Sequence, residues 1–204
     1  MIAPTPNYFQ GWKIVGLLGL AIALMVAIII AVQGWDEAGI RVAIRATART
    51  SCLLFLLAFI ASALRKFWVN KYSLWLVRNR RYLGLSFAFS HAVHAVTIIS
   101  LLIITSGREF NYVAYNFGGH LGYIFIIAMT ATSFNQTCAW LGERGWHILH
   151  GVGMYYLWLA FMVTFSDSLA ISPIYVIFVS LLSVAMGLRL LALTKPRQSN
   201  RPLA

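Results

Sequence analysis

The sequence predicts an all-α, polytopic membrane protein, a bundle of six transmembrane helices, and three observations carry that prediction. Hydrophobic residues fill 60% of the 204 positions and charged residues only 10%, with a mean hydropathy of +0.78. A soluble domain is nearer ~45–50% apolar and ~25% charged, so an ordinary soluble fold is excluded. The apolar residues fall into long uncharged runs, and a run of ~18 or more residues is suited to cross a bilayer as a helix. The basic residues behind the net charge of +11 gather at the ends of those runs, where they set topology and meet anionic lipid. That placement excludes nucleic acid as a partner and points to membrane lipid.

The first span, 14–33, contains Ile14 to Val32 without a charge, preceded by Lys13 and followed by Asp36 and Glu37. It is too long for a signal-peptide core and is expected to be retained. The second span, 46–65, has a short uncharged core from Thr50 to Leu64, and its N-terminal extension carries Arg41, Arg45 and Arg49 at i, i+4 and i+8, one stripe on a helix. Arg65, Lys66, Lys71, Arg78, Arg80 and Arg81 follow, interleaved with Phe67, Trp68, Tyr72 and Trp75, the pattern of a cytoplasmic loop in a headgroup belt. The third span, 82–105, contains His91 and His94. The fourth, 119–140, is polar in its second half through Thr130, Thr132, Ser133, Asn135, Gln136 and Thr137, side chains expected to face other helices. The fifth, 145–166, opens with His147 and His150, and the sixth, 169–189, carries Pro173 in its first turn, where its missing N–H is harmless.

Six spans place both termini and the Arg65–Arg81 loop in the cytoplasm, with the weakly basic loops around Arg108/Glu109 and Asp167 outside, as in a multi-pass protein of the cell inner (plasma) membrane. The tail with Lys195, Arg197 and Arg201 is short, so 1–204 reads as a single membrane domain. Trp12, Trp35, Trp68 and Trp75 suit the interfacial belt. Cys52 and Cys138 sit inside apolar runs and form no CxxC site.

Four of the five histidines form two His-x-x-His pairs, His91/His94 and His147/His150, each on a predicted span. Ionisable groups inside membrane helices are costly and default to functional hypotheses. Spans three and five run in the same direction, so histidines near their entrances can face each other, and two facing imidazoles suit one heme iron. A zinc ion held by all four histidines is the competing use, disfavoured because no further acidic or cysteine ligand accompanies the pairs. Residues i and i+3 lie only ~4.5 Å apart along a helix, so each pair offers ligands at one depth. Thirteen or fourteen positions further on stand Gly107, Arg108, Val163 and Thr164, none of them histidine, which points to a single heme. With no CxxCH attachment motif that heme is of the b type. His94 follows Arg81 by thirteen positions whereas His150 follows Arg144 by six, so the third helix is expected to begin below the membrane surface, through Tyr72 to Arg81. Arg80 and Arg81 would then be placed to pair with heme propionates. His120, after Gly118-Gly119 on the outer side, reads as interfacial.

Arg80-Arg81-Tyr82-Leu83-Gly84-Leu85 leading to His94, Ala131-Thr132-Ser133 followed by Leu141-Gly142, Trp146-His147-Ile148-Leu149-His150, and Ala61-Ser62-Ala63-Leu64-Arg65-Lys66 occur over roughly residues 45–160. In order and spacing they resemble the ferric reductase-like transmembrane domain family, closest to the heme-binding membrane subunits of bacterial periplasmic methionine sulfoxide reductase systems. The resemblance implies that His94 and His150 are the heme axial ligands. His91 and His147 have no counterpart there and stand as second contacts or alternate ligands. The chain departs from the family at Gly151, where an arginine is usual, and at Val163, where many members carry an outer ligand; it also has one extra residue before His150. The implied function is a heme b electron-transfer subunit that relays electrons from a cytoplasmic flavin or nicotinamide reductase, or from a quinone, to an acceptor at or beyond the outer face, such as a periplasmic protein. No GxGxxG segment is present, so a flavin or nicotinamide site belongs to a partner. The alternative from another class is a non-redox channel or transporter whose histidines relay protons or bind a metal, and a structural assembly subunit is a third.

Overall fold

The computed structural model describes residues 9–108, 110 and 117–194, and the described residues form six helices and no strand. They are α1 (Trp12–Gln33), α2 (Glu37–Phe67), α3 (Lys71–Ile104), α4 (Phe117–Ala131), α5 (Asn135–Asp167) and α6 (Tyr175–Thr194), with a 3-10 turn at Ser168–Ala170. Five are long and apolar enough to cross a membrane; the exception is α4, with 15 residues. Glu109 and the basic tail at Lys195, Arg197 and Arg201 lie outside the described residues.

Local chemistry fixes the helix starts. Asp36 caps α2, its Oδ1 accepting from Gly39 N at 2.8 Å. Asn70 and Ser73 form a reciprocal capping box on α3, with Ser73 N donating to Asn70 Oδ1 at 2.9 Å and Asn70 N to Ser73 Oγ at 3.3 Å. The third helix thus starts at Lys71, eleven positions before the apolar run, with Tyr72 to Arg81 on helix as expected. The second likewise starts at Glu37, which puts all three arginines of the stripe on helix.

Three expectations are corrected. The fourth span does not reach Trp140: Thr132 Oγ1 and Ser133 Oγ donate to the carbonyls of Ala128 and Met129, and Phe134 is extended at φ −95°, ψ 148°. These hydroxyls compete with the helical ladder at its C-terminus. Thr137 Oγ1 then donates to the carbonyls of Ala131 and Phe134, tying the break together. Of the polar half of that run, Thr130, Thr132 and Ser133 are partly covered by other helices, whereas Asn135, Gln136 and Thr137 are exposed. Pro173 precedes α6 instead of lying in its first turn, consistent with its bias against a helical residue before it.

Helix α2 is the most buried and packs on α1, α3 and α6. Its Phe55 and Phe59 centre an aromatic core that continues through Phe87 of α3 and Phe161 and Phe165 of α5 to Tyr175 and Phe178 of α6. The outward faces are as apolar as the core: Val32 is 72% exposed and Leu193 70%. Such surfaces are a liability in water and are satisfied by lipid.

Most of the basic residues gather at one end of the bundle. There Trp75 Nε1 donates to Phe9 O, Lys66 Nζ to Ala192 O, Arg80 Nη1 to Ser62 Oγ and Arg81 Nη1 to Asn135 Oδ1. At the other end Glu37 pairs with Arg41 at 3.0 Å and Arg108 at 3.2 Å. Arg81 meets the start of α5 while His91 meets Phe161 further along, so α3 and α5 are parallel. The chain's first and last described residues share the basic end.

Candidate functional site

His94 and His150 are each held by a threonine. His94 Nδ1 lies 3.0 Å from Thr47 Oγ1 on α2, and that hydroxyl donates to the Ala43 carbonyl at 2.8 Å. A hydroxyl has one proton, so Thr47 accepts from His94 Nδ1–H and leaves the lone pair on Nε2. His150 repeats the device from the next pair of helices. Its Nε2 lies 3.1 Å from Thr132 Oγ1, which donates to the Ala128 carbonyl at 2.7 Å, so the lone pair of His150 stays on Nδ1. The His150 ring also stacks on Trp146 at 4.2 Å, and Trp146 Nε1 donates to Thr132 O at 3.1 Å. Fixing one imidazole nitrogen by hydrogen bond so that the other is free is the arrangement of metal-ligating histidines.

The two histidines line neighbouring cavities. That of His150, about 270 Å³, is bounded by Arg80, Arg81, Gly84, Phe87 and Trp146 towards the basic end. That of His94, about 320 Å³, lies further along α3 and also contains His91 and Tyr123. Leu157 of α5 lines both, and Phe87 and Phe161 touch at 6.2 Å beside it. Gly142 sets the direction of the His150 segment: its φ of 76° and ψ of 156° break α5, so that residues 143–167 form the bundle arm apart from 135–141. Only glycine adopts that backbone without strain.

The remaining candidates divide. His91 joins His94, the ring centroids 5.2 Å apart, and meets Tyr123 of α4 at 4.9 Å. His147 turns outward, 65% exposed, with Glu143 Oε1 3.7 Å from its Nε2. An acid therefore does stand beside one histidine pair, yet the four histidines do not converge, and no group of three or more metal-binding side chains forms among the described residues. Arg80 and Arg81 both face the His150 cavity, and the buried Arg81 Nε has no hydrogen-bond partner among the described residues. His120 lies exposed near the start of α4. Sequence reasoning missed Thr47 and Tyr123. Thr47 lies between Arg45 and Arg49 of the arginine stripe, 47 positions from its partner, and nothing local marks it.

Fold and site together define an all-helical protein of membrane type with two threonine-held histidines on parallel helices. No family model, curated protein or solved structure matches the chain.

Proposed function

We propose that the chain is a six-span membrane cytochrome b subunit of the ferric reductase-like kind, with His94 and His150 holding one heme b. The observation that carries this reading is the matched pair of threonine-fixed imidazoles, Thr47/His94 and Thr132/His150, each presenting a lone pair from a parallel helix. The order and spacing of the motifs over residues 45–160 support it independently. By type the donors suit heme iron, since two neutral nitrogens in apolar surroundings match it better than a bare dication, which favours charged or more numerous ligands; by placement they line separate cavities that meet at Leu157. Arg80 and the unpaired Nε of Arg81, at the basic rim of the His150 cavity, would receive carboxylates. Leu157, which lines both cavities, is the side chain a group liganded by both histidines would have to reach past.

When bound, heme b would supply a one-electron carrier between a donor at the basic end, either a flavin or nicotinamide reductase or a quinone, and an acceptor at the opposite face. Thr47 and Thr132 orient their imidazoles and hold the tautomers; Trp146 restrains the plane of the His150 ring; the aromatic core excludes water. In this reading α4 completes a sixth crossing despite its length, because Gly118 O accepts from Tyr156 and Thr132 O from Trp146, so its two ends lie at different depths along α5. The basic end, with both termini, faces the cytoplasm of the inner membrane. A pyridine hemochrome assay on protein purified after heme-replete expression should give one b-type heme per chain. Colourless protein would overturn the reading and leave the channel or transporter alternative.

A further inference from the structure

Arg41, Arg45 and Arg49 follow one another at i, i+4 and i+8 on α2, at the end of the bundle opposite the basic loop, and none of them lines either histidine cavity. Arg41 is paired with Glu37, but among the described residues the side chains of Arg45 and Arg49 make no ion pair and no hydrogen bond. Arg49 is the more confined of the two: its guanidinium lies 4.9 Å over the ring of Tyr175, and its buried Nε has no partner among the described residues. A buried donor on a charged group is costly to leave unpaired. The same helical row then turns apolar. One and two turns beyond Arg49 stand Leu53 and Leu57, 45% and 38% exposed. We propose that this row holds one phospholipid of net negative charge, its phosphate on Arg45 and Arg49 and its acyl chains along Leu53 and Leu57.

Depth, shape and charge each select that ligand. Tyr175 is the first residue of α6, whose 20 residues span about 30 Å at helical rise, the thickness of a hydrocarbon core. In a bilayer Arg49 therefore lies at the boundary between acyl chains and headgroups, and the exposed Arg45, one turn further out, reaches the headgroups themselves. The row is a groove and not a bare face. Thr50 Oγ1 donates to Met25 Sδ of α1 at 3.6 Å while Arg49 meets Tyr175 of α6, so a helix stands on either side of it. Phosphate oxygens suit the planar donors of a guanidinium. A zwitterionic headgroup would bring its ammonium beside two guanidinium groups that no acid neutralises, since Asp36 caps α2 and Glu37 is taken by Arg41 and Arg108. A headgroup without an ammonium, as in phosphatidylglycerol, avoids that repulsion. Free phosphate would meet the arginines alone, whereas a lipid also covers the leucines.

The inference rests neither on heme nor on which way the bundle crosses the membrane, so it stands or falls separately from the heme reading. In its test the full chain in detergent micelles is titrated with dioleoyl-phosphatidylglycerol, dioleoyl-phosphatidylcholine or glycerol 3-phosphate, and thermal unfolding is followed by far-ultraviolet circular dichroism. Phosphatidylglycerol should raise Tm in a saturable way and at lower concentration than phosphatidylcholine, and glycerol 3-phosphate should leave it unchanged. Because the basic end also attracts anionic lipid, two double variants of equal charge locate the effect. Arg45→Gln with Arg49→Gln should weaken the phosphatidylglycerol response roughly 10-fold, the loss of a charged hydrogen bond, whereas Lys71→Gln with Arg78→Gln at the basic end should weaken it far less. Should the first double variant fail to fold, Arg45→Gln alone, a change at an exposed position, carries the test and should still weaken the response more than the basic-end pair does. Equal responses to the two phospholipids, a response to glycerol 3-phosphate as strong as to the lipid, or equal losses at the two ends would overturn the proposal.

Discussion

Thr47 and Thr132 each use a hydroxyl proton on a helix carbonyl and an oxygen lone pair on a histidine. A threonine-to-valine change keeps the shape and removes that bond. Thr47→Val and Thr132→Val should therefore each weaken heme retention by ~10- to 100-fold, the usual cost of losing a contact that orients a metal ligand. Transfer of heme to an apo-globin acceptor measures it. His94→Ala and His150→Ala should abolish the low-spin spectrum or heme retention outright, whereas His147→Ala should leave both intact because that ring faces outward beside Glu143. His91→Ala should keep the heme with a shifted potential; loss of heme from it with retention in His94→Ala would move the ligand register by about one turn. The histidines were legible from spacing because ligands on one helix repeat with its period. Their threonine partners were not: Thr47 belongs to another helix, and Thr132 ranked as one polar residue among six.

Helices α4 and α5 approach closely at Gly153, where an added Cβ would meet Met129 Sδ at 2.5 Å and Phe125 Cδ1 at 3.2 Å. Small residues let membrane helices pack backbone to backbone. Gly153→Ala should then destabilise the protein by about 1–3 kcal/mol, as overpacking does, and adding Met129→Ala should recover part of the loss. Thermal melting in detergent distinguishes the single from the double variant. Five of the six expected spans meet helices long and apolar enough to cross a membrane, since an uncharged run has few alternatives to a membrane helix. The fourth was misjudged because run length was counted through Thr132, Ser133 and Asn135, whose side chains satisfy backbone carbonyls or face the basic end instead of continuing the helix. The sharp turn at Gly142 was legible only as a motif, since its φ of 76° depends on how α5 seats against α4.

Most of the basic residues lie at one end of the molecule, with Glu37, Arg41 and Arg108 at the other, and that asymmetry was the most readable property of the sequence: Arg65 to Arg81 share an end with the first and last described residues. In the proposed orientation, an alkaline phosphatase fusion at Ala204 should be inactive and a fluorescent-protein fusion bright; the reverse pattern would invert the topology. What the sequence could not show was that His94 and His150 line separate cavities meeting at Leu157, since that depends on how Phe87 and Phe161 pack. The short α4 has a consequence for the surrounding bilayer. Its 15 described residues span about 22 Å at helical rise, against a hydrocarbon core of ~30 Å, while α1 with 22 residues and α6 with 20 match that core. Over the described residues the protein presents unequal hydrophobic thickness around its perimeter, and in the proposed orientation lipid beside α4 would thin to meet it, at a cost of fractions of a kcal/mol per Å of mismatch. In vesicles of 14-carbon acyl chains the protein should melt at a higher temperature than in 20-carbon ones, and the difference should shrink when leucines are added to lengthen α4. Acyl-chain length in the host membrane thus becomes a determinant of how firmly the wall that carries Tyr123 is held.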